Sequence, residues 1–169
     1  MNEKEEMRRV SIFVENKIGV LAKISGLFAG KNYNIHTLTV GTTEDPTISR
    51  MTISIVSDDR TFEQIKKQLN RCVEVIKVLD FTQTPIHMKE VLFVRVNGLT
   101  IEGKNELLNL AKVFDGRVVD YGKDSALFEC SQTESRNDDA ILLMRELFTD
   151  IEVVRGGTVA IESISMTDK

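Results

Sequence analysis

The sequence contains no tryptophan, and only two cysteines, two prolines and two histidines in 169 residues. Each scarcity removes a class of function. Cys72 and Cys130 lie far apart and form no CxxC pair, so neither a disulfide framework nor a structural zinc site is expected, and a reducing compartment fits. Neither His36 nor His87 stands beside a serine, cysteine or acid in a nucleophile arrangement. His36 alternates with apolar neighbours and reads as a sheet residue facing solvent or a subunit contact. Glycine-rich phosphate loops are missing too, since no GK[ST] follows Gly26 or Gly30. Asp58-Asp59 precedes a helical stripe, where two acids read as caps, with Asp59 as the N-cap. The residues assign no catalytic chemistry and no metal site.

No apolar run approaches the roughly twenty residues of a membrane helix, and the start Met1-Asn2-Glu3-Lys4-Glu5-Glu6 is unlike a signal peptide. A cytoplasmic protein with no membrane partner is expected. Charged residues make up 28%, but acids and bases nearly cancel to a net charge of -4. Nucleic acid is therefore not an expected partner, because binding phosphates needs a concentrated basic face. An RNA-binding sheet would also place aromatics on its central strands, where this chain has Val, Ile, Met and Thr.

What is present is hydrophobic periodicity, enough at 41% apolar content for a sizeable core. Val10, Ile12 and Val14 alternate as a strand; Leu21, Ile24, Leu27 and Phe28 recur at helical spacing. Asn34 to Gly41 returns to strand character, and Met51, Ile53 and Ile55 share the face of a further strand. Phe62, Ile65, Leu69 and Cys72 form a second helical stripe, and Val73 to Phe81 reads as a closing strand. This order, strand-helix-strand-strand-helix-strand, predicts an α+β ferredoxin-like βαββαβ plait. Thr82-Gln83-Thr84-Pro85 lacks periodicity, and the boundary is placed there, giving domains 1–82 and 83–169. The second half repeats the pattern: Leu92, Val94 and Val96; Leu107, Leu110, Ala111 and Phe114; a hairpin from Arg117–Tyr121 to Ala126–Cys130; and Ala140, Leu143, Met144 and Leu147. Ile151 to Val154 and Thr158 to Ile164 are read as closing strands around Gly156-Gly157. Small plaits with open sheet edges favour pairing, so a homodimer is expected.

The loop Glu15-Asn16-Lys17-Ile18-Gly19-Val20-Leu21 joins the first strand to the first helix. Free N–H groups at a helix start favour a carboxylate, Gly19 lets a ligand approach the backbone, and the Asn16 amide both donates and accepts. By spacing alone, a simple turn and cap is the favoured account. Asn34 opens the second strand and could approach this loop from a partner chain. With Val20 and Ile35 flanking, the pocket would suit a short branched side chain.

At these residues the sequence resembles a known family. Asn16-x-x-Gly19-x-Leu21 after a strand is similar to the ligand loop of ACT domains. Tyr33-Asn34-Ile35-His36-Thr37-Leu38-Thr39-Val40-Gly41 and Thr43-Glu44-Asp45-Pro46-Thr47-Ile48-Ser49-Arg50-Met51-Thr52 resemble the small, regulatory subunits of acetohydroxyacid synthase (acetolactate synthase). Gln64-Ile65-x-Lys67-Gln68-Leu69, Val118-Val119-Asp120 and Glu152-Val153-Val154-Arg155 extend the likeness along the chain. Gly156-Gly157 departs from the family's usual Thr-Gly, and Glu162-Ser163 lacks its common basic residue.

The resemblance implies a first domain of ACT type and a non-catalytic chain. It implies L-valine bound between subunits by Asn16, Ile18, Gly19, Val20 and Leu21 of one and Asn34 and Ile35 of the other. It implies a large catalytic partner, carrying thiamine diphosphate, magnesium and FAD, that this subunit activates and makes sensitive to valine. No cofactor is expected in this chain. Asp45, Pro46 and Arg50 are assigned either to contact with the large subunit or to fixing the hairpin. A free-standing ACT sensor acting on transcription or on another enzyme is the alternative, against which the Asp45 to Met51 segment argues.

Overall fold

The computed structural model describes residues 5–31 and 33–164. Its elements follow the order β1 (Glu6–Glu15), α1 (Val20–Ala29), β2 (Ile35–Thr42), β3 (Ile48–Ser57), α2 (Asp59–Leu69), β4 (Val75–Asp80), β5 (Ile86–Asn97), α3 (Ile101–Val113), β6 (Arg117–Tyr121), β7 (Ser125–Gln132), α4 (Glu134–Leu147) and β8 (Ile151–Glu162). They form two four-stranded sheets, ordered β2-β3-β1-β4 and β6-β7-β5-β8. Each set is a βαββαβ plait, the fold class expected from the periodicity.

In the first plait, Val10, Ile12 and Val14 of β1 and Met51, Ile53 and Ile55 of β3 turn to the same face of the sheet. There they form one core with Val20, Ile24 and Phe28 of α1 and Phe62, Ile65 and Leu69 of α2. Strand period and helical stripe thus converge on a single layer interface. The second core repeats this with Leu92, Val94 and Val96 of β5, Phe128 of β7, Leu107 and Leu110 of α3, and Ala140 and Met144 of α4.

Two local features differ from the sequence reading. The N-cap of α2 is Asp58, whose Oδ1 accepts the Thr61 amide at 2.6 Å, while Asp59 instead meets Arg8 of β1. The region read as two closing strands around Gly156-Gly157 is one continuous strand, β8. Gly157 takes φ 73, a left-handed conformation that costs glycine little, so the strand passes through the pair without ending. The chain divides into a compact unit of Met88–Val159 and another of Met1–His87 that also takes in the chain from Ala160 onward.

Gly116, immediately before β6, is confined sterically. A Cβ there would lie 2.5 and 2.6 Å from two ring carbons of fully buried Phe128 and 2.8 Å from the Glu129 carbonyl oxygen. Gly116→Ala is expected to destabilise the chain by roughly 1–3 kcal/mol, the cost of overpacking, read as a lower thermal unfolding midpoint.

Candidate functional site

β1 ends at Glu15 and α1 begins at Val20, so the candidate loop spans one tight passage from sheet to helix. Gly19 is the N-cap of α1 with φ 86 and ψ -12, and it makes no side-chain cap. Nothing lies within 4 Å of a Cβ built there. Glycine is therefore favoured by the left-handed backbone, and the space beside it is open. The Val20 amide donates to Lys17 O at 3.3 Å and the Lys23 amide to Gly19 O at 2.9 Å. Among the described residues, the amides of Ile18, Gly19, Leu21 and Ala22 have no protein acceptor, as expected of an uncapped helix start.

The other three helices contrast with α1. Asp58, Thr100 and Thr133 cap α2, α3 and α4 through side-chain oxygens, and each first turn carries an acid: Asp59, Glu102 and Glu134. α1 has neither a capping side chain nor a first-turn acid. The equivalent loop of the second plait, Asn97 to Thr100, is closed by the bond from the Gly103 amide to Thr100 Oγ1 at 3.1 Å. Glu102 and Glu106 line the hollow beside it, a setting that opposes a carboxylate.

Asn16 is held from both of its nitrogens. Its amide donates to Thr47 O at 2.7 Å and its Nδ2 to Pro46 O at 2.9 Å. With Nδ2 committed, its Oδ1 is the end left for an ammonium group. The anchoring turn is itself tightly bonded. Asp45 Oδ1 accepts the Thr47 amide at 2.8 Å and the Thr47 hydroxyl at 2.6 Å, and Thr43 Oγ1 donates to Asp45 O at 3.0 Å. The Thr47 hydroxyl and then its amide hold the Asp45 carboxyl below its ordinary pKa. Beside the loop, Lys23 Nζ meets both Glu74 carboxylate oxygens at 2.8 Å, which raises the Lys23 pKa and lowers that of Glu74.

Ile18 is fully exposed and Leu21 partly so, whereas Val20 is only 6% exposed and belongs to the plait's own core. Val20 can thus offer a ligand backbone only. Asn34 is exposed, and Ile35 is half-buried against the core. Register places these last two far from the loop in the same chain. Glu15 pairs with Ile48 and Ile35 with Ile55, at opposite ends of β3. Seven residues of strand separate them, about 23 Å at the usual rise. Arg50 is engaged inside the chain: Nε donates to Ser11 Oγ at 2.8 Å, a second nitrogen to Ala160 O at 3.1 Å, and the guanidinium lies 5.0 Å from the Phe13 ring centroid.

Sequence reading missed the two bonds that tie Asn16 to the β2–β3 turn. The pairing of β1 with β3 was the signal, since it sets Glu15 opposite Ile48 and so brings the two connections together. It also missed the bidentate pair of Arg155 with Glu90 in the second plait. Neither residue type nor spacing announces that contact, made across 65 residues.

No helix among the described residues is long and apolar enough to cross a membrane. Residues 10–77 match the AHAS small subunit-like ACT domain, and residues 89–164 match the small subunit of acetolactate synthase. A probable acetolactate synthase small subunit of Archaeoglobus fulgidus is 40% identical over 89% of this chain and 93% of its own length. The acetolactate synthase isozyme 3 small subunit of Escherichia coli is 34% identical over 92% of this chain and 95% of its own. Among solved structures, the acetolactate synthase small subunit of Thermotoga maritima superposes with a TM-score of 0.83 at 33% identity, covering 94% of this chain and 98% of that one. The chain belongs to the small subunits of acetolactate synthase, a regulatory class that works beside a catalytic subunit.

Proposed function

We propose that this chain acts as a homodimer that binds L-valine at the Asn16–Gly19 loop, activates the large catalytic subunit and imposes feedback inhibition on it. The observation that carries the reading is the open N-terminus of α1. There, the unpaired amides of Ile18, Gly19 and Leu21 meet no capping side chain and no acid. Those donors suit a carboxylate, Asn16 Oδ1 suits the ammonium, and exposed Ile18 and Leu21 offer an apolar flank.

The separation of Asn34 from Asn16 within one chain supports a shared site. β2 is an edge strand, and an antiparallel two-fold pairing of β2 with its copy reverses the strand ends. Asn34 and Ile35 of the copy then lie toward the end of the sheet where Asn16 stands. Asp45 and Pro46 border that end and are proposed as a surface for the large subunit. Thiamine diphosphate, magnesium and FAD are assigned to that subunit and not to this chain. The complex condenses pyruvate with pyruvate or 2-oxobutyrate, toward the branched-chain amino acids, in the cytoplasm. Valine controls it by binding two states of the complex unequally.

Calorimetric titration of the purified full chain with L-valine, L-leucine and L-isoleucine, paired with sedimentation, tests this. L-Valine should bind once per chain, with an affinity that falls as dilution breaks the dimer. Equal affinity in a monomer would rule out the shared site, and absence of heat would rule out the effector.

A further inference from the structure

Arg50 is the side chain that the proposed ligand site does not use, and its contacts are specific. It lies on β3 opposite Phe13 of β1, on the sheet face away from α1 and α2, where Ser11 and Thr52 are also buried. Its planar fork serves three neighbours together: the Ser11 hydroxyl, the Phe13 ring and the Ala160 carbonyl. Lysine could not replace it, having one charged nitrogen and no plane to stack.

Two features of the chain give these contacts a consequence. Upstream, β3 starts at Ile48, directly after the Pro46 and Thr47 carbonyls that hold Asn16, so Arg50 stands three residues from the ligand loop's anchor. Downstream, Ala160 lies in β8, a strand of the second sheet, yet the chain from Ala160 onward groups with the first compact unit. The Ser163 amide donates to Pro85 O at 2.9 Å, fixing the same end a second time. A hydrogen-bonded strand does not stretch, so a displacement of the Pro46–Thr47 turn shifts Arg50 with it.

We propose that Arg50 is a positioning residue that passes occupancy of the Asn16–Gly19 loop to the end of β8, and through that strand to the second domain. The inference rests on the valine reading above. Arg50 touches no ligand; it makes the loop anchor and the β8 end move as one element that both can bias.

The test uses the full chain, wild type and Arg50→Gln and Arg50→Lys, each with L-valine as the probe. Hydrogen exchange of the amides from Ala160 to Ser163 is followed beside calorimetry and inhibition of the reconstituted complex. In wild type, valine should slow exchange over that segment. In Arg50→Gln it should leave exchange unchanged while the valine Kd of the free chain stays within about threefold, and inhibition of the complex should weaken by ~10-fold or more, a typical coupling lost. Arg50→Lys should rescue neither the exchange response nor the inhibition, and activation should persist in both variants. A wild-type exchange response in Arg50→Gln overturns the proposal. So does loss of valine binding by that variant, which would make Arg50 a prop for the loop. Absence of valine binding in wild type instead overturns the effector reading, and this inference with it.

Discussion

Gly19→Asp is expected to abolish valine inhibition while activation of the catalytic subunit persists. The backbone at Gly19 has φ 86, where a side chain costs about 1–2 kcal/mol. That strain falls on a loop whose surroundings are open, since a Cβ there meets nothing within 4 Å. The fold therefore tolerates the change. The site does not, because the new carboxylate would take the N-cap position that Asp58 holds at α2, accepting the amides that the ligand needs. It would also set a negative charge against the carboxylate of valine. Losing charge-assisted hydrogen bonds worth roughly 1.5–3 kcal/mol each, with that repulsion added, raises the valine Kd by ~100-fold or more. Gly19→Asn separates the causes. Asparagine tolerates the left-handed region and carries no charge, so it should weaken valine binding less than aspartate does. Calorimetry on the free chain and inhibition curves of the reconstituted complex read both effects. Unchanged valine affinity in Gly19→Asp would remove the loop from the site.

Much of the architecture was legible because one physical rule wrote it twice. Alternation along Val10-Ile12-Val14 and the stripe Ile24-Phe28 specify a strand and a helix that must bury one face each, and the second half repeats the arrangement. Gly156-Gly157 was misread because two glycines in sequence carry the signature of a turn. In the structure the pair lies inside β8, with Gly156 beside Val91 and Gly157 at φ 73, so the glycines bend the strand's path without ending it. Asp58 and Asp59 were not distinguishable as caps, since type alone cannot tell which of two adjacent acids faces the helix and which faces Arg8.

At the candidate site, the open loop was legible from Asn16 and Gly19, but the side-chain direction of Val20 was not. Helical spacing gives the same stripe to a core residue and to a pocket wall. The distance between Asn16 and Asn34 depends on strand register, which no local pattern carries. In sequence Arg50 is assigned to contact with the large subunit or to fixing the hairpin. Its contacts within the chain are with Ser11 and Ala160, 39 and 110 residues away.

Arg155→Met should produce the largest loss of stability in the second domain. Glu90 is 1% exposed, and its carboxylate is served by Arg155 through Nε at 2.9 Å and a terminal nitrogen at 2.7 Å. Asn137 Nδ2 donates to it at 3.1 Å and to the Glu90 carbonyl at 3.0 Å. Arg155 also reaches Asp138 at 2.6 Å, and its own pKa is pushed up, first by the bonds to Glu90. The network joins β5, α4 and β8 at one buried point. Methionine fills the volume but leaves a buried carboxylate with a single amide donor, a loss on the order of 3–5 kcal/mol. For a chain of this length that lowers the unfolding midpoint by roughly 10 °C. Glu90→Gln in the Arg155→Met background removes the stranded charge and should recover most of the loss. The pairwise term from the full double-mutant cycle then separates the buried charge from simple packing. A double variant no more stable than Arg155→Met would mean that the arginine acts through its contact with Asp138. The same double variant bears on control: if β8 carries the effector signal from Ala160, an uncharged but well-packed Glu90–Arg155 position should preserve valine inhibition once stability returns. That result would mean that anchoring of β8 requires a filled contact there, not a charged one.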